Sequence, residues 1–109
     1  MLKKERRRFV RIKKQCPVSY CILPQTKVRR KMSLDLSQAG LRFIAEDFIP
    51  LNSKLKMEID LDNPPRLINV IAQPVWIKGI FADEYFNVGV RFLEISKEDL
   101  RYLSWINKT

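Results

Sequence analysis

Four arginines lie close together near the start of the chain, in Arg6-Arg7-Arg8-Phe9-Val10-Arg11. A guanidinium group is a planar fork of donors that meets a phosphate or a guanine edge with two parallel hydrogen bonds, and it also stacks on aromatic faces. Arg7 and Arg11 stand four apart, and 24 residues after Arg11 comes a second pattern, Asp35-x-Ser37-x-x-Gly40. Asp, Ser and Gly at such spacing are turn formers. Each pattern is common by itself; their order and separation carry more information than either alone.

The charge around these residues is uneven. The chain has a formal charge of +9, with 21 Lys and Arg against 12 Asp and Glu. Residues 1–14 hold eight basic side chains against the single acid Glu5, a net of +7, so the remaining 95 residues carry only +2. A nearly neutral body with a basic arm implies an anionic partner: nucleic acid, a membrane surface or a phosphorylated small molecule. A merely solubilising tail has no need of arginine over lysine. Phe9, Val10 and Ile12, interleaved in the arm, suggest that its end packs on the body. A second basic cluster, Lys27, Arg29, Arg30 and Lys31, is expected on the same side.

The elements that must position these residues are short and extended. Residues 15–23, 27–36, 41–45, 55–61, 67–78 and 85–95 read as strands, separated by turn-forming residues. The cleanest is the fourth, where Leu55, Met57, Ile59 and Leu61 alternate with Lys56, Glu58 and Asp60, the period of a half-buried strand. Pro74 predicts a bulge or an edge in the fifth strand, and Gly89 a bulge or a close backbone approach in the sixth. Phe43, Trp76 and Phe92 read as core residues. Ser96-Lys97-Glu98-Asp99 is an N-cap pattern, and Leu100, Leu103 and Ile106 follow at helical spacing. The expectation is a mainly β fold: a small six-stranded antiparallel barrel, residues 15–109, ending in an α-helix over about 96–107 and preceded by the basic arm, residues 1–14. Trp105, away from the helix's apolar stripe, is a candidate for contact with a partner.

The inventory of side chains argues against an enzyme. The chain has no His, no Cys–base or Ser–base arrangement and no Gly-rich phosphate loop, so nucleophilic catalysis lacks its usual parts. Two cysteines, Cys16 and Cys21, are too few for a tetrahedral zinc site, and their odd spacing places them on opposite faces of a strand, which disfavours a disulfide. Both are read as buried structural thiols. No apolar run approaches the ~20 residues that span a bilayer, and no signal-peptide pattern follows the basic start; the expected location is the cytoplasm.

Taken together, Arg7-x-x-x-Arg11 and Asp35-x-Ser37-x-x-Gly40 resemble the signature of the PilZ family. The similarity continues through Leu41-Arg42-Phe43, Val75-Trp76 and Gly89-Val90-Arg91-Phe92, and into the C-terminal helix. It implies a PilZ-type barrel with a flexible arm, no catalytic residues and no cofactor or metal. The implied ligand is cyclic di-GMP, held by Arg6, Arg7, Arg11, Asp35, Ser37 and Gly40. In that picture Arg7 and Arg11 grip guanine edges and phosphates. Asp35 accepts from guanine N–H donors, and Ser37 bridges to base or phosphate. Gly40 takes a positive φ or lets ligand approach the backbone. Arg6, directly before Arg7, points to a stacked pair of ligands.

Closure of the arm over the ligand would be the signal, read by a downstream protein partner, and the length suggests a stand-alone module. Two other readings stand beside it. One is a small basic barrel that binds single-stranded nucleic acid, disfavoured because the arginines concentrate in one arm. The other is a PilZ-like adaptor that binds only proteins, disfavoured by the intact motif residues.

Overall fold

In a computed structural model the protein describes residues 15–62 and 64–106. Arg6, Arg7 and Arg11 lie outside the described residues, as does the expected last residue of the helix. Six strands form: β1 (Pro17–Ile22), β2 (Arg29–Leu36), β3 (Gly40–Ala45), β4 (Leu55–Asp62), β5 (Pro65–Ile80) and β6 (Tyr85–Ile95), followed by helix α1 (Lys97–Ile106). All pairings are antiparallel, and the sheet closes in the order β1-β2-β3-β6-β5-β4. The mainly β barrel with a terminal helix is thus the observed fold.

The boundaries differ in small ways from those expected. Pairing of β4 with β5 runs up to Asp62 and Pro65, so Pro65, expected in a loop, begins a strand, where its missing N–H is tolerated. The strand continues to Ile80, beyond Lys78.

The alternating apolar side chains meet inside the closed sheet. Leu55, Met57, Ile59 and Leu61 of β4 pack with Val18, Tyr20, Leu36, Leu41, Phe43, Ile68, Val70, Val88 and Val90. Tyr20 and Phe43 lie with ring centroids 5.1 Å apart, and Ile49, on the connection from β3 to β4, is completely buried. Cys16 is buried with its Sγ 3.2 Å from Ser33 Oγ, whereas Cys21 is only half-buried; both are thiols.

The helix is held by contacts that its own periodicity does not reveal. Ser96 Oγ accepts from Asp99 N at 3.1 Å, the expected cap. Leu103 fills the core and Ile106 packs beside it, but Leu100 stays on the surface. Asp99 is nearly buried and accepts from both Nε (2.8 Å) and Nη2 (2.7 Å) of Arg66 in β5. The Arg66 guanidinium lies 5.4 Å from the centre of the Tyr102 ring, and Tyr102 donates to the Pro64 carbonyl at 2.6 Å. Trp105 remains exposed, with its ring beside that of Tyr102.

One core group is out of balance. The Tyr20 hydroxyl is buried and has no hydrogen-bond partner, and desolvation raises its pKa above the ordinary value. A buried, unsatisfied donor costs about 1–3 kcal/mol. Tyr20→Phe should therefore match or exceed the wild-type denaturation midpoint in urea. Because the folded-state pKa is raised, the native protein keeps a proton that the unfolded chain releases above about pH 10. Stability is intact below that pH and falls as pH rises further, and the substitution should make this alkaline loss shallower.

Candidate functional site

Directly paired residues of an antiparallel sheet share one face. Along β2 the inward positions run through Ser33, and strict alternation would turn Asp35 inward as well. A register shift lies between Ser33 and Asp35: Ser33 pairs with Phe43, but Asp35 pairs with Arg42. Leu34 is the extra residue, and the bulge turns Asp35 onto the outer face while Leu36 returns to the core. The same device recurs in β5. Pro74 pairs with Val90, Trp76 pairs with Gly89, and Val75 is the extra residue. Pro74 therefore marks a bulge and not an edge, since β5 is paired on both sides.

This second bulge overturns the core reading of Trp76. Its indole is on the outer face, half-buried, and Ile77 takes the inward place. Phe43 is fully buried and Phe92 packs partly against the core, as expected.

Both bulges bring side chains to one line. Asp35, Arg42, Gly89 and Trp76 are successive partners across β2, β3, β6 and β5. At about 4.8 Å per strand this row is about 14 Å long. Gly40, Arg91 and Gln73 form the row on one side of it, and Ile44, Asn87 and Lys78 the row on the other. Arg42, Trp76 and Asn87 are components that sequence reasoning missed as site residues. The alternation of Arg42 with Leu41 and Phe43 was a signal for its outward direction. Trp76 is marked by the Val75-Trp76 resemblance but reads as core, and nothing marks Asn87.

Asp35 is 8% exposed. Its Oδ2 accepts from Arg42 Nε at 3.1 Å, while Oδ1 is buried with no hydrogen-bond partner. A carboxylate so placed keeps one acceptor unfilled. Ser37 is used differently. Its Oγ accepts from Ala39 N (3.1 Å) and Gly40 N (3.3 Å) and donates to the Gly40 carbonyl (3.3 Å), and its own N–H donates to that carbonyl at 2.9 Å. The hydroxyl is thus engaged in building the β2–β3 turn.

Gly40 corrects an expectation: no described glycine has a positive φ. What Gly40 supplies is proximity, since a Cβ there would collide with the Val90 carbonyl of β6. Gly89 stands opposite the β5 bulge and also marks a close approach, because the nitrogen-bearing edge of the Trp76 indole occupies the space its Cβ would need.

Two of the four residues of the second basic cluster are neutralised by ion pairs. Arg29 pairs with Asp47 at 2.6 Å and Lys31 with Glu46 at 2.7 Å, and Lys31 holds the Glu46 carboxyl below its ordinary range. Arg30 faces a shallow recess shared with Glu58 and Asp60. Among the described residues no group of three or more His, Cys, Asp or Glu side chains could hold a metal ion, and no helix is long and apolar enough to cross a membrane.

The PilZ domain model matches residues 5–106. The chain belongs to the PilZ family. Solved structures with the same fold agree. MotI/DgrA, the Bacillus subtilis inhibitor of motility, superimposes with a TM-score of 0.82 at 20% identity over 95% of this chain, which spans half the length of MotI. The PilZ domain of Escherichia coli YcgR, solved with c-di-GMP, gives 0.69 at 21% identity, covering 94% of this chain and 88% of that one. The MrkH–c-di-GMP complex from K. pneumonia gives 0.61 at 14% identity, covering 94% of this chain and 51% of that one. Among curated proteins none matches.

In this PilZ domain the two glycines and the ion pair make separable predictions. Gly40→Ala should lower stability by about 1–3 kcal/mol in urea denaturation, because the collision is with backbone. Gly89→Ala should instead displace the Trp76 ring and change its fluorescence. Arg42→Ala strands a buried carboxylate and should cost about 1.5–3 kcal/mol; adding Asp35→Asn should recover part of that loss.

Proposed function

We propose that this chain is a cyclic di-GMP receptor, with residues 1–14 as a ligand-gripping arm and residues 15–109 as the barrel it closes on. The observation that carries the reading is the Asp35 carboxylate. It is nearly buried, with one oxygen held by Arg42 and the other without a partner. A guanine offers N1–H and N2–H donors to such an acceptor. Membership of the PilZ family and the c-di-GMP complexes of YcgR and MrkH support the same ligand.

The start of the described chain lies against the strand that carries this carboxylate. Ser33, two residues before Asp35, accepts from Cys16 N through its Oγ at 3.1 Å and donates its own N–H to the Cys16 carbonyl at 2.9 Å. Arg7 and Arg11 grip guanine edges and phosphates from the arm's side, while Asp35 accepts from a base. Ser37 and Gly40 act through the turn that holds Asp35 and brings β3 against β6. Arg6 adds a third guanidinium, suited to a stacked ligand pair.

Fixing the arm costs about 1–2 kcal/mol per residue, and each charge-assisted hydrogen bond returns about 1.5–3 kcal/mol. Several arginine contacts must form together, so arm closure follows ligand, and that closure is the signal passed to a protein partner in the cytoplasm. No side-chain set for catalysis enters this scheme.

Calorimetric titration with cyclic di-GMP, beside GMP and a short single-stranded oligonucleotide, tests it. Saturable binding of the cyclic dinucleotide alone, at micromolar ligand and with two molecules per chain, is expected. Absence of binding would overturn the receptor reading, and a 1:1 ratio would overturn the role given to Arg6. Arg11→Ala should abolish binding and leave the ligand-free melting temperature unchanged.

A further inference from the structure

Asp35 is not the only side chain on the outer face with an unfilled acceptor. Asn87 Oδ1 is also buried and without a hydrogen-bond partner. Asn87 lies on β6 two residues from Gly89, paired with Ile44 on one side and Lys78 on the other. In the register this places it diagonally next to Trp76, one row from the Asp35–Arg42–Gly89–Trp76 line. An exposed asparagine would find water, and a structural one would hold a neighbouring backbone group. An oxygen that does neither is a cost to the ligand-free fold, as the second oxygen of Asp35 is.

We infer that Asn87 is a second base-reading residue of the ligand site, and that it selects a second guanine over adenine. This rests on the receptor reading above. An amide oxygen seeks a donor, and guanine presents the N1–H and N2–H pair that adenine lacks on the corresponding edge. The amide nitrogen of the same side chain can donate to an adjacent base acceptor. Asp35 and Asn87 are two strands and two residues apart, about 12 Å by strand spacing and rise. Three base-stacking steps of about 3.4 Å cover nearly that distance, so the two acceptors suit opposite ends of a stack laid beside Trp76. Lys78, exposed in the same row as Asn87, adds positive charge for a phosphate at that end.

The test compares cyclic di-GMP with 3′,3′-cyclic GMP-AMP, titrated into the full chain and into its Asn87→Leu and Asn87→Ser variants. Wild type should favour the two-guanine ligand by about tenfold to a hundredfold, the range for a well-formed polar base contact. Asn87→Leu should weaken cyclic di-GMP binding about tenfold or more and bring the two ligands within about threefold of each other. Its ligand-free melting temperature should stay level or rise, since an unsatisfied buried oxygen has been removed.

If wild type binds cyclic di-GMP and both variants keep its affinity and preference, the inference is overturned while the receptor reading stands. Loss of the fold in both variants would assign Asn87 to the barrel and overturn it too. Failure of wild type to bind either ligand is the separate outcome that removes the receptor reading itself.

Discussion

In a sheet the side-chain period is two, so one extra residue exchanges inside and outside for everything after it until a second irregularity restores the register. Closure into a barrel makes this exchange consequential, because each strand is paired on both sides and one face of each is committed to the core. The extra residues Leu34 in β2 and Val75 in β5 are therefore the features on which the outer face depends. Each is followed by a residue turned outward, Asp35 and Trp76, and then by an apolar residue, Leu36 or Ile77, returned to the interior. Without these two slips, a carboxylate and an indole would be directed into the apolar core, where the carboxylate would be costly to bury.

The row so formed is electrostatically incomplete. Arg42 satisfies one oxygen of Asp35 and leaves the other, and Asn87 has an oxygen in the same condition. Buried polar atoms are normally partnered, and the open oxygen of Asp35 contrasts with the careful satisfaction of the β2–β3 turn that follows it. Ser37 alone makes four hydrogen bonds there through its hydroxyl and N–H. The rigid turn fixes the backbone that follows Asp35, whose second oxygen stays unsatisfied. The neutralised pairs Arg29–Asp47 and Lys31–Glu46 leave the positive charge of the chain concentrated in residues 1–14.

Much of this was legible from local order alone. Alternation in Leu55–Leu61 marked β4, the Ser96 cap marked the helix start, and the turn formers around Ser37 marked the β2–β3 connection. The Arg7/Arg11 and Asp35–Gly40 patterns identified the family, which the match over residues 5–106 establishes. These signals are short-range: a period, a cap or a turn is written in consecutive residues, and its physics acts over the same span.

What the sequence by itself determined is the set of elements, their order and the family. Tertiary structure decided which side chains share a surface. Trp76 reads as core until the Val75 bulge reverses its strand. Gly40 reads as a turn glycine until β6 is laid against it and the Val90 carbonyl claims the space of a Cβ. Arg66 and Asp99 are 33 residues apart, and nothing local to either announces the pair that docks the helix. Bulge placement and cross-strand proximity depend on how β5 and β6 close the barrel. That closure is a property of the whole sheet, so no window of consecutive residues contains it.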